Sequence, residues 1–282
     1  MKMDASSFAK LFEGLKMGGS ISKNSNEMTL AGIRGSRADV YLKEVDSLEI
    51  TKRNLEPDKY RCTIVQLFKG KLMAFQATTL PGAYYTVNPM GPEGAARLMN
   101  GRWILRRGLH NGNPALVQGG VMLIMRDTDK DYNMDWDTDY FQAGNWFGIN
   151  NHAGGGTDSI GKWSAGCQVV RGSFTNGYSL SWQSEQWKIY KNRAYSSLNQ
   201  SYNYVLVPYD WLERCVVNSE TICMYGSSGD LVKNIQSKLG LKADGSYGEF
   251  TTREVMKFQR KNAIQPNGCC GPQTLGAMGL KV

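Results

Sequence analysis

The feature of this 282-residue chain that most constrains its fold is a series of short apolar segments between residues 39 and 223, separated by glycine, asparagine and aspartate. The clearest of these segments are residues 61–68, 71–77, 121–125 and 204–208. Lys69 and Gly70 stand between the first two segments and predict a hairpin turn. Short strands at this spacing, with few long helices, predict a mixed-sheet or barrel-like β domain.

Residues 226–282 have a helical pattern instead. Apolar side chains recur at helical spacing over residues 231–239, and Gly240 ends this segment. Thr251 with Glu254 predicts a capping box, and Gly271-Pro272 predicts the start of a third helix. We therefore expect a three-helix domain, joined to the β-rich part by a short linker at residues 226–229.

The N-terminal residues predict a further helix, because four apolar side chains lie at helical spacing. These are Phe8, Leu11, Phe12 and Leu15. We expect this amphipathic helix to pack on the body of the protein, with membrane or partner binding as the alternative. The predicted fold class is α+β, with an N-terminal helix and linker (1–38), a β-rich catalytic domain (39–225) and a small all-α domain (226–282).

The composition excludes several classes of protein. No apolar run approaches the roughly 18 residues of a membrane span, so we expect no membrane span. The six cysteines contain no C-x-x-C pair, which favours reduced thiols over a zinc knuckle. Only two histidines occur, His110 and His152, so a three-histidine zinc site is impossible. We expect neither a metal nor a cofactor, and a monomeric protein.

The helical segment repeats its own pattern. The turn at residues 243–248 before Thr251 is echoed by residues 265–271 before Thr274. The segment resembles the family of three-helix peptidoglycan-binding modules at Gly229, Val232, Gln236, Leu239, Asp244, Gly245, Tyr247, Gly248, Thr251, Val255, Phe258, Gln259, Gly268, Gly271 and Leu275. The resemblance implies that bacterial peptidoglycan is the partner, bound by the loops that carry Asp244, Tyr247 and Asn267. A helical module with another partner is the alternative.

The residues best suited to chemistry are His152 and Cys167, which lie 15 positions apart between glycine-rich turns. A nucleophilic cysteine needs a neighbouring base and backbone N–H groups that stabilise an oxyanion. His152 is the only histidine close to Cys167 in sequence, and Gly166 allows a tight turn that presents the sulfur. Asn150 or Asn151 is a candidate for orienting the histidine, and His110 is interpreted as structural.

This pattern resembles the L,D-transpeptidase catalytic family, whose site joins a His-Gly-Ser/Thr turn to a downstream Ser-His-Gly-Cys. The resemblance places His152 on the base and Cys167 on the nucleophile, with Ser164 and Gly166 on the turn. Ala165 replaces the second histidine of the family pattern, and Ala153 replaces the glycine after the base.

The resemblance also implies an arginine two residues after the cysteine, but this chain has Arg171 four residues after it. Arg171 and Asn151 are our candidates for substrate binding. The implied mechanism is attack of the Cys167 thiolate on a peptidoglycan stem peptide, with release of a D-amino acid. Water or a second stem amine then resolves the acyl-enzyme, giving a peptidase or a transpeptidase.

Four other readings stay open. A papain-like order would need Cys62, which lies in an apolar run typical of a core residue. A zinc amidase would need both histidines and a carboxylate or thiol, and a lysozyme-type glycosidase would need a carboxylate pair that the sequence does not single out. The acidic residues 127–139 resemble a calcium loop but lack its glycine and terminal glutamate, which favours a solvated loop. A non-catalytic wall-binding or virion protein is the fourth alternative.

Charge and the N-terminal sequence suggest where the protein acts. Residues 226–282 carry eight basic and four acidic residues, which is half of the net charge of +8. Attraction to an anionic envelope explains this excess better than nucleic acid, for which no recognition motif is present. The N-terminus lacks the apolar region of a secretory signal. We therefore expect a bacteriophage endolysin made in the host cytoplasm that acts in the periplasm and cell wall after release.

Overall fold

The computed structural model describes residues 1–21, 26–133, 140–172 and 185–281. The strands are β1 (Lys2–Asp4), β2 (Thr29–Arg34), β3 (Ser36–Ala38), β4 (Ser47–Lys52), β5 (Cys62–Phe68), β6 (Lys71–Thr78), β7 (Ala95–Leu98), β8 (Gly101–His110), β9 (Asn113–Gln118), β10 (Met122–Asp127), β11 (Tyr140–Gly144), β12 (Asn151–Ala153), β13 (Gln168–Val170) and β14 (Tyr202–Pro208). The helices are α1 (Ala5–Gly14), α2 (Ala83–Val87), α3 (Glu185–Ser196), α4 (Tyr209–Val216), α5 (Asp230–Lys238), α6 (Glu249–Lys261) and α7 (Pro272–Ala277).

Eight strands close into a barrel in the order β12-β13-β6-β5-β2-β14-β8-β9. The predicted β5–β6 hairpin is present, and Lys69 and Gly70 adopt the positive φ values, 51° and 74°, that a tight two-residue turn requires. Closure leaves no edge strand in this sheet, because every strand has a neighbour on both sides. The predicted α+β class, with a β-rich N-terminal part and a small helical C-terminal region, is confirmed.

Two small sheets flank the barrel, in the orders β1-β4-β3 and β11-β10-β7. Helix α1 packs against α4 and buries the four apolar side chains of its stripe completely, as the sequence predicts. The Asp4 side chain caps α1 by accepting the Ser7 N–H at 2.9 Å. No helix among the described residues is long and apolar enough to cross a membrane.

The predicted boundary after residue 38 does not follow the fold. Strand β2, which the sequence analysis assigned to an N-terminal linker, pairs with β5 and β14 inside the barrel. All six of its residues are buried. A strand buried on both faces lacks the apolar-polar alternation by which strands are recognised in sequence, so sequence pattern alone does not identify β2.

Residues 226–229 form a bonded junction instead of the predicted linker. Gly226 N–H donates to the Tyr247 carbonyl at 2.9 Å, and Ser227 Oγ donates to the Leu15 carbonyl at 2.5 Å. The backbones of Cys223 and Cys270 exchange two hydrogen bonds, which join the barrel side of this junction to the helical region. The helical domain is therefore docked on the barrel by backbone hydrogen bonds.

The predicted capping box in the helical domain is also wrong. Helix α6 begins at Glu249 after Gly248, so Thr251 lies inside its first turn. The Thr251 hydroxyl accepts a hydrogen bond from the Gln236 side chain at 3.2 Å. Helix α7 begins at Pro272, as the sequence predicts.

Candidate active site

The barrel brings His152 and Cys167 together through two neighbouring parallel strands. His152 lies on β12, and Cys167 immediately precedes β13, whose Gln168 pairs with Asn151. The sulfur of Cys167 and a ring nitrogen of His152 lie within 4.8 Å of each other. The two residues that sequence reasoning named as nucleophile and base are thus neighbours in space.

Hydrogen bonding determines which nitrogen of His152 is available as a base. Its Nδ1 lies 2.8 Å from the carbonyl oxygen of Ala153. A carbonyl only accepts, so Nδ1 carries the proton and Nε2 carries the lone pair. Burial, reinforced by His110, lowers the pKa of His152 to about 3. The imidazole is therefore neutral at neutral pH.

Cys167 is 8 % exposed, and burial raises the pKa of its thiol to about 11. A backbone hydrogen bond from Asn150 acts in the opposite direction. The Sγ–H donates to the Gly148 carbonyl at 3.4 Å. The resting pair is consequently a neutral thiol beside a neutral imidazole.

The turn before Cys167 is held by Ser164, which is buried. Its hydroxyl accepts the Gly166 N–H at 3.2 Å and donates to the Cys167 carbonyl at 2.9 Å. Gly166 has a φ of +141°, and a Cβ there would lie 2.7 Å from the Ala96 carbonyl oxygen. Glycine is therefore required at this position, and Ser164 maintains the shape of the turn.

His110 is the residue of this site that sequence reasoning missed. Its ring stacks on that of His152 with centroids 4.4 Å apart and planes 12° from parallel. The Asn150 Oδ1 accepts the Gln118 N–H at 2.9 Å, so its Nδ2 is the atom that donates to His110 Nδ1, also at 2.9 Å. Asn150 thus orients His110 instead of His152. The one local signal is Asn111-Gly112, a hairpin turn that places His110 at the end of a strand.

The donor set of His110, His152 and Cys167 has the composition of a zinc site, and its ligand atoms lie within 4.8 Å of one another. Zinc requires ligand lone pairs that converge on one point at about 2.0–2.3 Å. The lone pairs of two nearly parallel stacked imidazoles lie in separate planes and do not converge. The observed ring orientation therefore fits proton transfer better than metal coordination.

The acidic loop has a structural partner. Asp127 is fully buried and accepts a hydrogen bond from Arg97 Nη2 at 2.5 Å. Its Oδ1 accepts the Asp131 N–H at 3.2 Å. The remainder of the predicted loop, residues 134–139, lies outside the described residues.

A cavity of about 700 Å³ opens above Cys167 and His152. Its walls carry charged groups from Glu93, Arg126 and Lys162 and large apolar side chains from Trp146 and Phe147. Trp146 is 75 % exposed. The cavity is therefore able to accept a ligand with both charged and apolar groups.

Neither predicted substrate residue near the cysteine lines this cavity. Asn151 is fully buried and donates to the Tyr190 hydroxyl at 2.9 Å, because alternation along β12 directs it away from the His152 side. Arg171 donates to Gln76 Oε1 at 3.0 Å and lies 3.8 Å from an Asp158 carboxylate oxygen. Asn151 is therefore directed into the core, whereas the role of Arg171 in substrate binding stays a prediction.

The sequence repeat in the helical domain corresponds to two identical hydrogen-bonded turns. Gln236 Nε2 donates to Asp244 Oδ1 at 2.8 Å, and its Oε1 accepts the Gly245 N–H at 2.8 Å. Gln259 repeats both contacts with Asn267 at 3.1 Å and the Gly268 N–H at 2.9 Å.

These turns change the roles predicted for the wall-binding loops. Asp244 is exposed and Asn267 is partly exposed, so both remain at the surface. Tyr247 is 1 % exposed, and its hydroxyl donates to the Gly268 carbonyl at 2.9 Å. The prediction that Tyr247 binds substrate is therefore wrong, because its ring belongs to the core of the domain.

Comparison with known proteins identifies the C-terminal region. Residues 228–278 match a family model described as "Putative peptidoglycan binding domain". No curated protein and no solved structure matches the chain significantly. The resemblance to L,D-transpeptidases stays a prediction, whereas the resemblance of the helical segment is confirmed. Residues 228–278 of this chain are a peptidoglycan-binding domain.

Proposed function

We propose that this protein is a peptidoglycan-degrading cysteine peptidase of the endolysin type, which cleaves stem peptides at an L,D-type bond. One observation carries the proposal. The Cys167 sulfur and a His152 ring nitrogen lie within 4.8 Å of each other at the wall of a 700 Å³ cavity, in a chain that also has a peptidoglycan-binding domain.

The first half of the reaction acylates the cysteine. The Nε2 of His152 takes the thiol proton as the sulfur attacks the peptide carbonyl carbon. Since both groups are neutral at rest, proton transfer accompanies the attack instead of preceding it. The C–N bond then breaks, and His152 returns the proton to the departing amine of a D-amino acid.

Backbone geometry supports stabilisation of the oxyanion by Cys167 itself. The Gly166 N–H already donates to the Ser164 hydroxyl. The N–H of Cys167 is the next donor along this tight turn, and a donor at the nucleophile is the usual position for an oxyanion hole. In the second half-reaction water attacks the thioester, His152 removes its proton, and the sulfur leaves as the thiol.

His110 positions His152 in this mechanism. The stacked ring covers one face of His152 and excludes water from it, which keeps the base neutral. Asn150 and the Gln118 backbone hold His110 in place through the two hydrogen bonds described above.

Charged groups in the cavity suit a peptide that carries both carboxylates and amines. Arg126 donates to Gln142 Oε1 at 2.8 Å, and Lys162 lies 4.2 Å from the Tyr84 ring centroid. These cations favour a substrate carboxylate, and Glu93 on the same cavity favours an amine. Activity at the cell wall, after release from the cytoplasm of a host bacterium, is part of this proposal.

Mass analysis of purified sacculi digested with the full chain tests the proposal. We expect shortened stems from the parent protein, and none from Cys167→Ala or His152→Gln. Cys62→Ser is the matched control, because Cys62 is buried beside Thr79 Oγ1 at 3.3 Å and lies outside the cavity. New cross-linked dimers would assign transpeptidation instead, and undiminished digestion by Cys167→Ala would reject the cysteine mechanism.

A further inference from the structure

A second cavity, of about 240 Å³, lies on the opposite side of β7 from the candidate active site. Ala96 lines the catalytic cavity, whereas the next residue, Arg97, lines this one. The wall includes Arg34 together with Leu55, Pro57, Leu80 and Pro81. The cavity has room for about eight water molecules, or for a small organic anion.

Arg34 brings a buried positive charge to this cavity. Its side chain is at the end of β2, and the residue is 6 % exposed. The guanidinium donates to Thr79 Oγ1 at 3.1 Å, to Asn100 Oδ1 at 2.8 Å and to the Leu98 carbonyl. All three acceptors are neutral. No carboxylate among the described residues pairs with Arg34.

Arg97 adds a second guanidinium, and its hydrogen bonding is incomplete. The residue is 3 % exposed, and it donates to Asp127 and to the Asn133 carbonyl. Its Nε is buried and has no acceptor within the part of the chain that the structure describes. A buried N–H without an acceptor is rare in folded proteins, so the positive charge of Arg97 is incompletely satisfied.

The charges around the cavity do not balance. Asp127 neutralises one guanidinium, which leaves the charge of the other without a buried counterion. Glu56 also lines the cavity, but its two carboxylate oxygens accept hydrogen bonds from Arg61 at 2.9 and 3.0 Å. Burial lowers the pKa of Arg34, and the neighbouring Arg97 acts weakly in the same direction. An unpaired buried charge is strongly unfavourable, so an anion in this cavity would stabilise the fold.

We propose that this second cavity binds a small carboxylate with a short apolar chain. A carboxylate matches the planar donor pattern of a guanidinium and supplies the counterion that Arg34 lacks. The leucine and proline side chains of the wall provide an apolar surface for the remainder of the ligand. The site is separate from the catalytic cavity and does not depend on the peptidase mechanism.

Titration calorimetry of the full chain with sodium propionate, at constant ionic strength against sodium chloride, tests the proposal. We expect saturable binding of one propionate, unchanged in Cys167→Ala, so that the result does not depend on catalysis. Arg34→Gln should weaken binding by roughly tenfold to a hundredfold, as expected for a lost charge-assisted hydrogen bond.

A second variant keeps the test decisive if Arg34→Gln fails to fold. Leu55 is 45 % exposed at the cavity, so Leu55→Trp should fill the space without altering either arginine. Leu198→Trp, at a 63 % exposed position outside the cavity, is the matched control and should bind as the parent does. Full binding by Leu55→Trp, equal heats from propionate and chloride, or binding of inorganic phosphate alone would each overturn the proposal.

Discussion

The paired glutamines of the peptidoglycan-binding domain provide a sharp test of how this small domain is held together. Gln236 is 3 % exposed, and both polar atoms of its side-chain amide form hydrogen bonds. Its Nε2 donates to Asp244 Oδ1, to the Thr251 hydroxyl and, at 3.0 Å, to the Ser246 carbonyl, whereas its Oε1 accepts the Gly245 N–H. Gln259 is fully buried and makes the equivalent contacts in the second turn.

The expected decrease in the free energy of unfolding follows from the polar groups that Gln236→Ala would leave without a hydrogen-bond partner. The N–H of Gly245 would lose its buried partner, which costs about 1–3 kcal/mol, whereas the Ser246 carbonyl would keep the hydrogen bond from the Gly248 N–H at 3.0 Å. Asp244 is exposed to water, and the Thr251 hydroxyl is able to rotate, so both add little. We expect a fall of about 1–3 kcal/mol in the free energy of unfolding of this domain. Gln259→Ala should have a similar effect.

Urea denaturation followed by far-UV circular dichroism measures this loss. The Cys167→Ala variant serves as the background because it lacks the proposed nucleophile, so that sedimentation with sacculi reports peptidoglycan binding in parallel. Gln265→Ala is the matched control, because Gln265 is exposed at the start of the second turn and should change stability by less than about 0.5 kcal/mol. A loss below about 1 kcal/mol for both buried glutamines would refute the argument that these amides hold the loops.

Further predictions concern the proposed catalytic pair, Cys167 and His152. Because burial raises the pKa of Cys167 to about 11, its iodoacetamide labelling, followed by mass spectrometry, should increase with pH up to that value, and a plateau near pH 7 would contradict this. The pKa of His152 is about 3 in the folded protein against an ordinary 6.5, so only the unfolded state binds this proton as the pH falls from 6.5 to 3. The free energy of unfolding should therefore decrease by up to roughly 5 kcal/mol over this range. His152→Gln should remove this pH dependence of the urea midpoint. His110→Ala should move the acidic limb of the kcat/KM profile to higher pH, since water would then reach His152; an unmoved limb would show that His110 does not act through the base. Gly166→Ala should lower both Tm and activity, because a Cβ would lie 2.7 Å from a carbonyl oxygen, and unchanged thermal unfolding would contradict the geometry.

Local sequence signals predicted the features that depend on neighbouring residues. Lys69-Gly70 forms the expected hairpin, and Pro272 begins the expected helix. The four apolar residues of α1 recur at helical spacing, and all are buried. In each case the signal and the structure involve the same few residues, so no distant contact had to be known.

Local patterns failed where distant contacts decide the exposure of a side chain. Tyr247 lies in a loop that matches a binding motif, yet its hydroxyl donates a hydrogen bond inside the core to the Gly268 carbonyl, 21 residues away. Thr251 has the sequence spacing of a helix-capping residue, but its hydroxyl accepts a hydrogen bond from the Gln236 side chain. Arg171 lies four residues after the cysteine, but its guanidinium donates to Gln76, which is 95 residues away in the sequence.

The sequence by itself determined the α+β class, the helical peptidoglycan-binding domain and the association of His152 with Cys167, because turn residues, apolar periodicity and short spacing are local. Only the tertiary structure decided that His110 belongs to the same site. His110 is 42 positions before His152, and the two meet because barrel closure places the β8–β9 hairpin beside β12. Such closure depends on long-range strand pairing, whose order and register are set by packing of the whole barrel. The short sequences around His110 and His152 therefore contain no pattern that predicts their contact.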